Sequence, residues 1–272
     1  MRILVTNDDG IDSIGLHVLA RALTELGDVV IVAPDREFSG SGAAVGALYE
    51  FRPEVRRCEV DGIAETWSLN GPPALCVLYS KLGVFGDPFD LVVSGINPGS
   101  NVGRSVYYSG TVGACLAARN GGVSGVAVSQ AVTGWGIEGQ GWIDIVQNQK
   151  WHVAAEVARV FVAGLVADPP ASPVVVNLNV PNLEFPDIAG WEMTEVGADP
   201  PRSMAVGQLV ATDDPDTFGV QMTWGDPVDL PPHTDGGAVE RDLISVSYLS
   251  RITAENRRDL AKPEAALANL LG

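Results

Sequence analysis

The sequence predicts an α/β protein, a doubly wound and mostly parallel sheet with a protruding C-terminal β-hairpin and tail. Three observations carry this. Short apolar runs of strand length alternate with stretches of helical periodicity over the first 180 residues or so. Those runs are apolar throughout rather than alternating, as parallel strands covered by helices on both faces must be. After about residue 190 the alternation stops, and two strand-like segments flank a polar turn.

In chain order, Ile3-Leu4-Val5 is a buried strand, and Leu16, Leu19, Leu23 and Leu26 recur at helical spacing, with Gly27 as the stop. Val29 to Ala33 is a second strand. A Gly/Ser-rich loop runs from Ser39 to Gly46, and 47–70 reads as extended. Pro72 to Leu82 reads as a helix, Leu91 to Ser94 as a strand and Gly95 to Gly103 as a second glycine-rich loop. Ser109 to Arg119 is a helix ended by Asn120-Gly121-Gly122. Val126 to Ser129 is a strand, 150–166 a helix, and Val174 to Val180 a strand ended by Pro181. Met204 to Val210 and Phe218 to Trp224 form the hairpin around Thr212 to Asp216. Leu243 to Tyr248 is a late strand and 262–271 a terminal helix. The chain is read as one domain over 1–272. Its core sheet lies in 1–190; 191–272 holds the hairpin, late strand and tail, elements with little core of their own that suit contacts with another subunit.

A chain of 272 residues, 46% of them hydrophobic, can fill a substantial core. With 34 acidic against 17 basic residues, its net charge of −17 argues against binding a nucleic-acid backbone, which needs cationic side chains. A small phosphate ligand stays compatible, since a cation and backbone N–H groups reverse the local field. Cys58, Cys76 and Cys115 are far apart and form no C-x-x-C pair, which suits a reducing compartment. The opening apolar run stops at Thr6-Asn7-Asp8, too short for a signal peptide, and no run reaches membrane-span length. A cytoplasmic protein is expected.

In an open parallel sheet, ligands bind beyond the carboxyl ends of the strands. Asn7-Asp8-Asp9-Gly10 follow the first strand, and Asp35, Arg36 and Ser39 the second. Ser94, Asn97, Gly99, Asn101 and Gly103 follow the third, and Ser129 the fourth. The polar residues thus gather at one sheet edge. Asp8 and Asp9 repel each other unless a cation lies between them, and hard oxygen ligands favour Mg²⁺, Mn²⁺ or Ca²⁺. Asn97 and Ser39 add neutral oxygens. An isolated Asp-Asp-Gly is more often a plain turn with a helix cap; its coincidence with the other loops favours a site. Ser109-Gly110-Thr111 open a helix, where Ser109 is an N-cap and the helix start is also an anion site. The three histidines form no metal pair; only His233 lies in a loop that could approach a site, and a structural or surface role is expected of all three. There is no Walker motif, no G-x-G-x-x-G after the first strand, and no G-x-S-x-G elbow.

Taken in order, Ile3 to Gly10, Ala33-Pro34-Asp35-Arg36 with Ser39-Gly40, Val93 to Gly103, and Tyr108-Ser109-Gly110-Thr111-Val112 resemble the SurE family of nucleotidases; Asn177 to Pro181 and Thr234-Asp235 to Ala238-Val239 also fit. The resemblance spans roughly residues 1–250. It implies a Rossmann-like core, a hairpin and tail used in homodimer or homotetramer contacts, and one divalent cation, Mg²⁺ or Mn²⁺, held by Asp8, Asp9, Ser39 and Asn97. Asp8 and Asp9 would be catalytic. Asn7, Gly40, Asn101, Ser109, Gly110 and Thr111 would bind substrate. The implied activity is hydrolysis of nucleoside 5′- and 3′-monophosphates, sometimes of short polyphosphate. The chain departs from the family pattern at Pro72-Pro73-Ala74-Leu75 and at Asp12-Ser13-Ile14, which bears on substrate preference. Three alternatives follow: a specialised paralogue acting on another phosphomonoester, a non-catalytic nucleotide-binding protein, and a sugar-nucleotide transferase with acidic metal ligands.

Overall fold

The computed structural model describes residues 1–46, 52–132, 146–199, 202–254, 257 and 259–271. Eleven strands and six α-helices alternate along the described chain. The first half runs β1 (Arg2–Thr6), α1 (Ile14–Leu23), β2 (Asp28–Pro34), β3 (Val55–Arg57), β4 (Glu65–Leu69), α2 (Pro73–Lys81), β5 (Leu91–Pro98), α3 (Gly110–Asn120) and β6 (Ser124–Gln130). The second half runs α4 (Trp151–Ala167), β7 (Val175–Val180), β8 (Gly190–Met193), β9 (Arg202–Ala211), β10 (Phe218–Pro227), α5 (Asp235–Glu240), β11 (Leu243–Leu249) and α6 (Ala261–Leu271).

Nine strands form one sheet in the order β3-β4-β2-β1-β5-β6-β7-β11-β8. From β4 to β7 every pairing is parallel; β3 and β11 each join antiparallel, and β8 pairs parallel with β11. The expected doubly wound, mostly parallel sheet is therefore present. Alternate residues serve two cores, because side chains on a strand point to opposite faces. Ile3, Val5, Val29 and Ile31 pack in the layer with α1 and α4, while Leu4, Val30 and Val32 pack in the layer with α2 and α3. This two-sided burial is why the strands read as continuous apolar runs.

The winding reverses beside β1. The chain moves from β1 to β2 on one side and returns to place β5 on the other. The two strands' carboxyl ends diverge into loops on opposite courses and leave a crevice, the usual ligand position in such sheets.

Several local expectations are corrected. Helix α1 ends at Leu23, with Thr24 still right-handed, so Gly27 is not its terminal glycine. Instead Gly27 lies against the Met1 carbonyl, where a Cβ would come within 2.4 Å. The third core strand, β5, runs on to Pro98, so Asn97 sits on a strand end rather than in a loop. β3 and β4 account for part of the extended stretch 47–70, whose residues 47–51 lie outside the described ones. The short strand β8, the 3₁₀ turn Gly103–Tyr107 and helix α5 were not foreseen. As expected, β9 and β10 form a separate antiparallel hairpin off the main sheet. Its apolar side chains are largely bare: Val206, Leu209 and Val220 are each at least 70% exposed. Cys76 and Cys115 are buried and Cys58 half-buried, all as free thiols. Among the described residues, no helix is long and apolar enough to cross a membrane.

Candidate active site

A cavity of roughly 210 Å³ opens at the crevice beyond β1 and β5. Asp8 and Asp9 from the end of β1, Ser39 and Gly40 from the loop after β2, and Asn97 from the end of β5 all line it. Asn101, Ser105, Tyr108 and Ser109 close the opposite side. Seven of the expected site residues therefore meet in one place. Asn7, Gly110 and Thr111 do not line the cavity, and the structure gives each another task.

Asn7 is fully buried, and its Nδ2 donates to the Gly10 carbonyl (3.0 Å), which holds the turn that aims the two aspartates. Gly110 and Thr111 serve Asp8. The Gly110 N–H donates to Asp8 Oδ2 (3.0 Å), and the Thr111 hydroxyl donates to Asp8 Oδ1. Only glycine allows this approach, since a Cβ at 110 would lie 2.7 Å from the Asp8 side chain. Ser109 is the helix N-cap, its Oγ accepting from Val112 N–H (3.1 Å). The Ser109 N–H is spent on the Ser105 carbonyl (2.9 Å). The positive end of α3 is thus already answered by a carboxylate and a cap. The anion held at this helix start is Asp8, while Ser109 still lines the cavity.

Asp9 is in the opposite condition. Both its carboxylate oxygens are shielded from solvent and have no hydrogen-bond partner. A buried carboxylate without donors is costly, and it calls for a cation or a proton. Burial pushes the Asp9 carboxyl well above the usual carboxylate range, with the neighbouring Asp8 and Glu37 charges adding to the rise. Burial also raises Asp8, against hydrogen bonds from Thr111 and Gly110 that pull it down.

The donor set fits a hard divalent cation. Two aspartates, Ser39 and Asn97 all line the cavity, and their side chains carry only oxygen ligands of the hard type such an ion takes. The Asn97 Nδ2 donates to the Gly99 carbonyl (2.7 Å), which leaves Oδ1 for the cavity. Among the described residues no cluster of three or more His, Cys, Asp or Glu side chains occurs, so a thiolate or imidazole metal site is unsupported. Among the described residues, no lysine, arginine or histidine lines the cavity. His233 does not reach it, and His17 is structural, its Nε2 at 2.7 Å from the Ile11 carbonyl.

The far wall is set by residues the sequence reading left without a role. Asn101 N–H donates to Asn179 Oδ1 (2.8 Å), and its carbonyl accepts from Nδ2 of Asn177 and Asn179. Its own Nδ2 donates to Ser129 Oγ (2.8 Å). Asp235, buried at the start of α5, accepts from Gly103, Gly197 and Gly236 N–H groups, each at 2.9 Å. A period-two pair of asparagines inside an apolar strand was the readable signal for the first group. Larger cavities of about 470 and 400 Å³ lie elsewhere, and their walls are mainly apolar side chains without this chemistry.

A sequence profile described as "Survival protein SurE" matches residues 3–202. The "5'-nucleotidase SurE" of Alkalilimnicola ehrlichii is 34% identical over 263 residues, covering 93% of this chain and 92% of that protein. The crystal structure of the SurE protein from Aquifex aeolicus superposes with a TM-score of 0.73 at 28% identity, covering 98% of this chain and all of the other.

Proposed function

The chain belongs to the SurE family, and from that premise we propose that it is a 5′-nucleotidase, a divalent-metal-dependent phosphomonoesterase that also accepts nucleoside 3′-monophosphates. The observation that carries the reading is Asp9: two buried, partnerless carboxylate oxygens beside Asp8, in a cavity with no basic side chain among the described residues. A phosphate dianion entering such a cavity needs a cation to offset the two aspartates.

Asp8, Asp9, Ser39 and Asn97 would hold Mg²⁺ or Mn²⁺. When bound, that ion neutralises charge on the phosphoryl group and acidifies a coordinated water. Asp8 cannot rotate, because Gly110 and Thr111 occupy both its oxygens, so it fixes the geometry. Neither Asp9 oxygen is held by a protein donor, so Asp9 is the carboxylate free to take the proton from the attacking water. The Ser39 and Gly40 N–H groups make no hydrogen bond within the described residues, so they would be available to phosphate oxygens, with the Ser109 hydroxyl and Asn101 on the same cavity wall. The proton that Asp9 accepts from the water is the one the leaving alcohol oxygen needs, so passing it on as the P–O bond breaks would balance the step and return Asp9 to the carboxylate.

The same reading places the protein in the cytoplasm, in keeping with three free thiols. It also makes the protein a homodimer or homotetramer built through the bare hairpin and tail. The test is phosphate release from nucleoside 5′- and 3′-monophosphates with Mg²⁺, Mn²⁺ or chelator. Metal-supported turnover that Asp9→Asn removes is expected. Nucleotide binding without turnover under either metal would instead favour a non-catalytic role.

A further inference from the structure

Next to the reaction cavity lies a second, of roughly 240 Å³, which shares Asp9 and Pro98 with it. Its other walls are Asp12, Ser13, Ile14, Val146 and Trp151. Neither cavity alone reaches the size usual for a small-molecule site, roughly 300–1,000 Å³, but the two volumes flanking Asp9 and Pro98 together do. The second has the character of a place for an organic group. Ile14, Val146 and Trp151 offer apolar and aromatic surface to a ring or sugar face. Asp12 and Ser13 offer polar atoms to hydroxyl groups.

This wall is held in place. The Ser13 N–H donates to the Gly10 carbonyl (3.1 Å), and the Ile11 N–H to the Pro34 carbonyl (2.8 Å). Gly15 presses the turn onto β5 and α4: a Cβ there would lie 2.3 Å from the Ile96 carbonyl and 3.0 Å from the Trp151 ring. The turn that carries Asp12 is therefore fixed to the same strand end as Asn97.

Among the described residues no basic side chain lines this second cavity, and its one charge besides Asp9 is the Asp12 carboxylate. The cation expected at Asp8 and Asp9 can compensate one phosphoryl group. A second phosphate on the leaving group would meet Asp12 with nothing to offset it.

We propose that the second cavity is the leaving-group subsite, and that Asp12 makes it selective for phosphomonoesters with an uncharged leaving group, a nucleoside without a further phosphate, against bisphosphates and polyphosphate chains. This rests on the phosphomonoesterase reading of the neighbouring cavity. Asp12 is exposed and its side chain makes no hydrogen bond within the described residues, so Asp12→Asn removes the charge and keeps an acceptor oxygen. A like-charge contact at a partly solvated site changes an affinity by about tenfold.

The test compares adenosine 5′-monophosphate with adenosine 3′,5′-bisphosphate on the full chain, wild type and Asp12→Asn, with Mg²⁺ or Mn²⁺. The ratio of kcat/KM for the monophosphate over the bisphosphate should fall about tenfold in the variant, through a lower KM for the bisphosphate. Molar salt should erase the difference, because it screens an exposed charge. A ratio that moves less than twofold in the variant would overturn the subsite. Calorimetric binding of the two ligands to Asp9→Asn and to Asp9→Asn with Asp12→Asn, each with Mn²⁺ present, reads the same discrimination without turnover. If the wild type releases no phosphate from either ligand, the phosphomonoesterase reading falls, and the binding ratio still decides the role of Asp12.

Discussion

Asp8 and Asp9 are chain neighbours with opposite surroundings, and that difference separates their roles. Asp8 accepts from Gly110 N–H and from the Thr111 hydroxyl, whereas Asp9 accepts from nothing. Replacing Asp8 by Asn turns one acceptor oxygen into a donor facing a donor. Asp8→Asn should lose activity and about 1–3 kcal/mol of stability, read by urea unfolding in chelator. Asp9→Asn should lower metal-supported phosphate release by about 100-fold or more, with no such loss of stability. Equal destabilisation by both would contradict the division of labour. The pH dependence follows in sign. Burial raises Asp9 above its ordinary value of 3.8, so the folded chain binds that proton more tightly than the unfolded one. The resulting contribution to stability is complete below pH 3.8 and is lost as pH rises through the higher folded value. In chelator, the denaturation midpoint should drop across that window. Asp9→Asn should flatten the drop, and Mn²⁺ should oppose it. Superimposable wild-type and variant curves would refute the assignment.

Helix starts do the positioning at the scale of elements. α3 points its N-terminus at Asp8, so its dipole and N–H groups stabilise a buried carboxylate of the cavity wall. α5 repeats the device in another form. Thr234 caps it by accepting from Gly237 N–H (3.2 Å), while Asp235 gathers three glycine N–H groups from separate segments. One of these, Gly103, closes the loop that carries Asn101, and another, Gly197, leads into the hairpin. Asp235→Ala would leave three donors unanswered in or near the interior. It should cost roughly 3 kcal/mol or more in urea unfolding and raise KM by releasing the Asn101 loop. A variant as stable as wild type would show that these contacts are dispensable.

For the molecule as a whole, the candidate cavity is lined by residues of one chain while the hairpin is not buried by it. Leu209 and Val220 face each other across β9 and β10, and both are at least 70% exposed. Surfaces of this kind usually mark a protein interface. Charging the pair, Leu209→Asp with Val220→Asp, should shift the mass in analytical ultracentrifugation to that of a single chain. An unchanged mass would mean that the hairpin is not the contact.

Legibility from the sequence differs by the range of the interactions. The strand–helix alternation, the two-sided apolar runs and the Ser109 cap were readable because they depend on neighbours within a few residues. So was the gathering of polar residues at strand ends, once parallel winding was inferred. The resemblance to the SurE family then supplied the ligand set. The sequence could not tell which of two adjacent aspartates is held and which is bare, because the partners of Asp8 lie more than a hundred residues away. For the same reason it could not show that α3 spends its N–H groups on protein, or that Asp235 ties three glycine loops together. Local pattern determined the elements and the order in which they wind. Contacts between distant segments, each made only when the sheet closes, decided how charge and hydrogen-bond donors are shared among them.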